Sequence, residues 1–299
     1  MGYKTLLFSQ PCQLSVKNFQ LVYNPENSNE DIKIPLEDIS TIILEHLQIK
    51  LSNYLLSICG EYNITIFSCD KYHQPNTILT PFSQHSRTTK IVKNQINMSE
   101  PFKKRLWQKI VQQKITNQSN VLKILFNNEE LDRYIEKVQS GDKTNIEGQT
   151  SKKYWSILFK NFKRHSETKQ NYALNYGYAV LRGTLAKYIA SSGLIPSIGV
   201  HHCSELNSFN LADDLIESFR PFIDLMVAEM KINEKDSTTL IKADKAYLLT
   251  ILHKQCQYKN EQITVQNACE YTCQNFVKSL VQKDSNILYL PQFIGEKWV

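Results

Sequence analysis

The order of apolar and polar positions changes character once along this chain, near residue 85. Before that point, short runs at 3–8, 14–23, 32–34, 41–44 and 63–67 alternate or cluster β-forming residues and predict strands. Turn-forming residues separate them, most clearly at Asn24, Pro25, Asn27, Ser28 and Asn29. Residues 48–59 are the exception, an amphipathic helix that Gly60 can close. The strand-rich part holds no cluster of catalytic side chains, so its expected role is scaffolding or pairing with a second copy.

After a short polar stretch the period becomes helical and stays so. Ser99 as N-cap and Pro101 in the first turn open one helix. Phe102, Leu106 and Ile110 line its inner face, while Lys103, Lys104, Arg105, Lys109 and Lys114 read as its solvated outer face. Further helices are predicted at 131–138, 146–160, 172–192, 211–232, 243–255 and 265–281, and Gly193 marks a C-terminus. The apolar run 287–293 is expected to dock on the helical body. The fold class predicted is α+β, with a β-rich domain at 1–85, a linker at 86–94 and a larger all-α domain at 95–299.

Composition agrees with two domains: 299 residues exceed one simple core, and 41% hydrophobic residues with 15 Tyr and 13 Phe can fill two. The net charge of +6 favours polyanionic partners without requiring them. Seven cysteines contain no CxxC pair, which is reduced-compartment usage. Cys269 and Cys273 are half of a zinc set at most and read as small buried hydrophobes. No apolar run reaches ~20 residues and residues 1–6 carry no signal-peptide pattern, so a soluble, cytoplasmic chain with no membrane partner is expected.

Candidate chemistry concentrates after residue 200. Helical spacing puts Leu211, Leu215, Phe219, Phe222 and Met226 on one stripe, with Asp213, Asp214 and Glu217 opposite and His201 and His202 just ahead. Acids crowded on one face repel unless solvent, a basic side chain or a metal compensates. A solvated acidic face and a metal site both satisfy this spacing. Oxygen ligands with an imidazole suit Mg²⁺ or Mn²⁺, but the set lacks one acid. Glu147, after the break at 140–142, is the candidate; by itself it reads equally as a helix-start acid.

Glu147-Gly148 with Lys153-Tyr154-Trp155, then His202, then Asp214-Leu215-Ile216-Glu217 with Phe219-Arg220-Pro221, resemble in the same order the motifs of the CRISPR-associated integrases. These are metal-dependent DNA endonucleases that insert spacers into CRISPR arrays. Residues 171–181 are similar to that family's central helix, and Phe67-Ser68-Cys69-Asp70 to the exit of its β-domain, so the resemblance spans nearly the whole chain. Glu217 and the doubled His201-His202 are most similar to the type II branch. The resemblance implies Glu147, His202, Asp214 and Glu217 as catalytic residues, with Mg²⁺ or Mn²⁺ held by Glu147, His202 and Glu217. It implies that Asp214 orients a metal-bound water or holds a second ion, and leaves His201 to packing or support. Lys152, Lys153 and Arg87 would meet DNA phosphates; Arg220 would pair with an acid or a phosphate. Implied partners are spacer-precursor DNA and the CRISPR repeat, a second copy joined through the β-rich domain, and a small adaptation protein of ferredoxin-like fold. Two readings from other classes stay open: a hydrolytic metallonuclease that never joins strands, and a non-catalytic nucleic-acid-binding module.

Overall fold

The strand-forming runs of the first part pair into two four-stranded sheets in a computed structural model that describes residues 2–26, 30–79, 87–159, 162–164, 166–232 and 238–294. Their elements are β1 (Lys4–Phe8), β2 (Cys12–Lys17), β3 (Gln20–Pro25), β4 (Ile32–Pro35), β5 (Ile39–Leu44), β6 (Lys50–Leu51), α1 (Asn53–Glu61), β7 (Thr65–Cys69) and β8 (Pro75–Leu79). One sheet has the order β1-β5-β7-β8, parallel except for its last pair, and the other β4-β3-β2-β6. Inner strand β5 is buried along its whole length, the pattern of a parallel strand covered on both faces. The run 14–23 is a hairpin rather than one strand, because Asn18 and Phe19 take positive φ (51° and 57°) in a two-residue turn that suits twisted strands. Gly60 lies inside α1, and Asn63, with φ 54°, supplies the left-handed residue that follows the helix. Leu14, Leu21, Ile42, Ile66, Leu55 and Ile58 join both sheets and α1 in one core.

This unit is Met1–Gln84, and the second is His85–Val299. The second contains α2 (Thr88–Ile96), α3 (Glu100–Phe126), α4 (Asp132–Ile135), α5 (Ile146–Leu158), α6 (Lys169–Ser191), α7 (Asn210–Ile216), α8 (Arg220–Glu229), α9 (Lys242–Leu249), β9 (Gln255–Tyr258), β10 (Glu261–Thr264) and α10 (Val265–Gln282). Helix α2 occupies most of the predicted linker, since Ile91 and Gln95, one turn apart, give it an inward face; the preceding positions 81–86 lie outside the described residues. Ser99 sits at the N-cap of α3, but its side chain makes no capping bond, and Pro101 in the first turn carries the start. The β9–β10 hairpin adds a strand pair to a region that reads as all-α. Gly193 follows α6 with φ 75° as expected. The tail docks: Leu288 and Phe293 are buried, and the Phe293 ring stacks on Phe222 at 4.2 Å. Cys269 and Cys273 are buried free thiols on α10. Among the described residues no helix is long and apolar enough to cross a membrane.

The largest departure is at 211–232, where the sequence reads as one helix and the structure has two. Pro221 has no N–H to offer the Glu217 carbonyl four residues back, and its ring would collide with that carbonyl. The chain therefore leaves α7 at Ile216, makes a tight turn with Phe219 N–H on the Ile216 carbonyl (2.8 Å), and restarts at Arg220. The Ser218 carbonyl freed in the turn accepts from Asn117 Nδ2 of α3 at 2.7 Å, and the same amide holds Pro291 of the tail at 2.9 Å. This break places Glu217 at a corner instead of on a helix face.

Candidate metal centre

Glu147 is aimed by the way α5 begins. Asn145 takes a left-handed conformation (φ 51°) and its side chain caps Gly148 N–H at 3.1 Å, while the Asp142 carboxylate accepts from Ile146 and Glu147 N–H at 2.8 and 2.9 Å. The Glu147 carboxylate accepts from Ser151 Oγ at 3.0 Å and contacts the Lys114 ammonium of α3. The same ammonium lies 2.5 Å from Glu217 Oε2 at the α7–α8 corner. That second contact is an ion pair without hydrogen-bond alignment, and Glu217 Oε2 has no other partner among the described residues. Arg220 Nε stands 3.0 Å from Glu217 Oε1, with its guanidinium over the Tyr178 ring. Burial raises the Glu217 carboxyl, but Lys114 and Arg220 outweigh it and bring the group down to about 2.

The histidines sit on the loop before α7. Asp214, fully buried, organises that loop: Oδ2 accepts from Val200 and His201 N–H (2.5 and 3.1 Å), and Oδ1 accepts from His202 N–H at 3.0 Å and lies 2.8 Å from His202 Nδ1. With Nδ1 given to Asp214, Nε2 is the ring nitrogen of His202 that could take a metal, as in carboxylate-supported histidine ligands. The Asp214 hydrogen bond also raises the His202 pKa. His201 stacks flat on Trp107 of α3 at 4.1 Å between ring centres, and His202 meets the same ring edge-on. Gln95 staples the loop to α2 through the Ile195 and Ile198 carbonyls at 2.9 and 2.8 Å. A Cβ at Gly199 would fall 2.3 Å from the His202 carbonyl and 2.7 Å from Asp214 Oδ2. Gly199→Ala is accordingly expected to cost about 1–3 kcal/mol in denaturant unfolding and to return the His202 pKa toward its ordinary value, read by NMR.

Of the sequence candidates, Glu147 and Glu217 are joined through one cation, and His202 is near enough to Glu217 for their charges to interact. Asp214 is committed to the loop and the His202 ring. Asp213 is neutralised by Arg182 at 2.7 and 2.8 Å. Lys153 pairs with Glu130, Lys152 is exposed, and Arg87 is exposed at the start of α2. Lys114 is a correction: it reads as solvated, yet is buried between the two glutamates. It stands four residues after Ile110 and three after Val111, on the apolar stripe of α3, and that spacing was the available signal.

A second buried cluster lies beyond Arg220. Asp224 accepts from the Tyr154 hydroxyl at 3.0 Å and from the Tyr178 hydroxyl. Burial raises its carboxyl to about 7, against the pull of both tyrosines and Arg220. The folded chain therefore keeps a proton that the unfolded chain loses above 3.8. This group's stabilisation is complete at low pH and is lost as the pH climbs to about 7. Urea unfolding at stepped pH is expected to show that decline in the parent chain and not in Asp224→Asn.

Two carboxylates gathered on a cation, with an imidazole already fixed beside them, fit a hard divalent ion as donors. Among the described residues no three acidic, histidine or cysteine side chains are closed around one ion position, and the cation between the two glutamates is the Lys114 ammonium.

A strand-rich unit followed by a helical unit is a two-part fold shared with known structures. A casposase bound to integration product superposes with a TM-score of 0.77 at 19% identity, covering 94% of this chain and 91% of that one. A CAS1 protein from Thermotoga maritima gives 0.74 at 18% identity, covering 93% and 97%. A sequence model of the family described as CRISPR associated protein Cas1 matches residues 5–256. The CRISPR-associated endonuclease Cas1 of Neisseria meningitidis serogroup C (strain 8013) is 36% identical over 301 residues, covering 99% of this chain and 98% of that protein. The chain belongs to the Cas1 family.

Proposed function

We propose that this chain is the divalent-metal-dependent DNA integrase and endonuclease of CRISPR adaptation, joining a spacer 3′-hydroxyl to a phosphodiester of the repeat. The observation that carries the reading is the pair Glu147 and Glu217 held on one cation beside an imidazole whose Nδ1 is taken by Asp214. Mg²⁺ or Mn²⁺ bound there would polarise the scissile phosphate and favour ionisation of the attacking hydroxyl. Glu147, Glu217 and His202 Nε2 are its ligands in this reading. Asp214 is a positioning residue: it fixes the ring and the loop and has no contact to spare for water. Arg220 pairs with Glu217 and lies over the Tyr178 ring, which places its charge beside that carboxylate. Strand transfer forms one phosphodiester as it breaks another, so no covalent protein intermediate and no nucleophilic Ser or Cys are required.

The casposase in the superposition is bound to integration product, and the related Neisseria protein is named an endonuclease; both support this reaction class. A superposable chain belongs to a Cas6-RT-Cas1–Cas2 complex, which supports a partner protein in adaptation. Lys152 and Arg87, both exposed, are the basic residues assigned to DNA phosphates; Lys153 would first have to leave Glu130.

The test is the product of a reaction containing the chain, its small partner protein, a 3′-hydroxyl duplex, a supercoiled repeat plasmid and Mn²⁺. Joined strands are expected. Cleavage without joining would instead identify a hydrolytic nuclease, and metal-independent binding alone a non-catalytic module.

A further inference from the structure

We infer that Lys114 is the internal counter-ion of the metal centre, and that its ammonium and the divalent ion occupy the place between Glu147 and Glu217 in turn. The inference rests on the metal reading above and adds a coupling to it: metal entry requires a lysine to leave.

Space gives the first argument. The ammonium contacts Glu147 Oε1 and lies 2.5 Å from Glu217 Oε2. An ion held by the same two carboxylates would need the place that the nitrogen now takes. Charge gives the second. Glu147, Glu217 and the Asp214 carboxylate that supports His202 face Lys114 and Arg220, so a divalent ion added to the intact cluster would leave an uncompensated positive charge at the corner. Displacing Lys114 relieves that excess. The bonding of Glu217 gives the third: Arg220 Nε and the Lys114 ammonium both face it as ion pairs without an aligned hydrogen bond, so Oε2 can exchange its ammonium for another cation while Arg220 stays beside Oε1. A lysine suits the exchange, because its compact, strongly hydrated head rides on a flexible stem, whereas an arginine fork would be harder to dislodge. Lys114 leaves as the charged ammonium, with no proton transfer. In the metal-free chain it keeps two facing carboxylates from repelling one another.

The test compares the full-length chain with Lys114→Met in Mn²⁺ titrations followed by EPR of the free ion, and in thermal unfolding with and without Mn²⁺. Removing the competing cation is expected to tighten Mn²⁺ binding about tenfold or more. The variant should melt several degrees below the parent without metal and show the larger upward shift when metal is added. Equal affinity and equal shifts in the two chains would overturn the role of Lys114 and leave the metal site standing. Absence of Mn²⁺ binding in both would overturn the metal reading and this inference together. Should the variant not fold, amine-modification mass spectrometry on the parent chain decides: saturating Mn²⁺ is expected to raise labelling of Lys114 severalfold, and unchanged labelling would contradict the exchange.

Discussion

Glu217→Gln is expected to abolish strand transfer and, unlike Glu147→Gln, to destabilise the helical unit as well. The difference follows from burial. Glu217 is 7% exposed and faces both Lys114 and Arg220, so neutralising it leaves the half-buried Arg220 without its carboxylate and the buried Lys114 with Glu147 alone. Removing one partner of such a buried network costs about 3–5 kcal/mol. Glu147 is more open, with 28% of its side chain exposed, and its loss leaves Lys114 paired to Glu217. Both variants remove a ligand in the proposed reaction and should lower the joining rate by about a thousandfold or more. The pH dependence separates them further. The folded Glu217 carboxyl at about 2 lies below its ordinary 4.5, so its stabilisation is complete above 4.5 and disappears as the pH falls toward 2. Acid unfolding of the parent chain and of Glu147→Gln should show that loss, and Glu217→Gln should not. Guanidinium unfolding at stepped pH, beside a joining assay, measures both effects.

Asp214→Ala carries the other large effect, because one carboxylate satisfies three backbone N–H groups and an imidazole. Each buried donor left unsatisfied costs about 1–3 kcal/mol. The loop from Val200 to His202 would open to water to limit that loss, leaving a net cost of about 3–5 kcal/mol. In a unit of this size that is on the order of 10 °C in Tm. His202 would lose the partner of its Nδ1, and its pKa would fall back toward the ordinary histidine value. Strand transfer should drop at least about tenfold to a hundredfold from loss of ligand support alone, while DNA affinity changes little. NMR titration of the imidazole distinguishes this positioning role from simple instability: an unshifted His202 in a folded Asp214→Ala variant would contradict it.

The candidate site was legible where its residues are close in sequence or carry recognisable spacing. Asp214 and Glu217, three residues apart, with His202 a short loop earlier, stand out because helical periodicity sets acids against the apolar stripe of Leu211, Leu215 and Phe219. The same periodicity hid the break, since the stripe continues through Phe222 and Met226, although Pro221 already forbids the hydrogen bond to the Glu217 carbonyl. Lys114 was misread because composition makes lysine a surface residue; its position on the apolar stripe of α3 was the contrary sign. Tyr154, Tyr178 and Asp224 meet across separations of 70 and 46 residues, which no local pattern encodes. The β9–β10 hairpin escaped for a different reason. Gln255–Tyr258 and Glu261–Thr264 are four-residue strands of largely polar side chains, and their pairing is decided by the packing of Cys256 and Tyr258 into the helical core. In the first unit, by contrast, alternation and turn residues marked five of the strand regions, and among the described residues the short β6 and the largely exposed β8 were outside them.

In the function proposed above, Glu147, His202 and Glu217 of this Cas1-family chain hold one divalent ion. Anomalous diffraction from crystals soaked in Mn²⁺ tests it most directly. A single strong peak is expected within coordination distance of the Glu147 and Glu217 carboxylates and His202 Nε2, with the Lys114 ammonium moved out of its place. A map without manganese at that corner, while Lys114 still bridges the two glutamates, would contradict it.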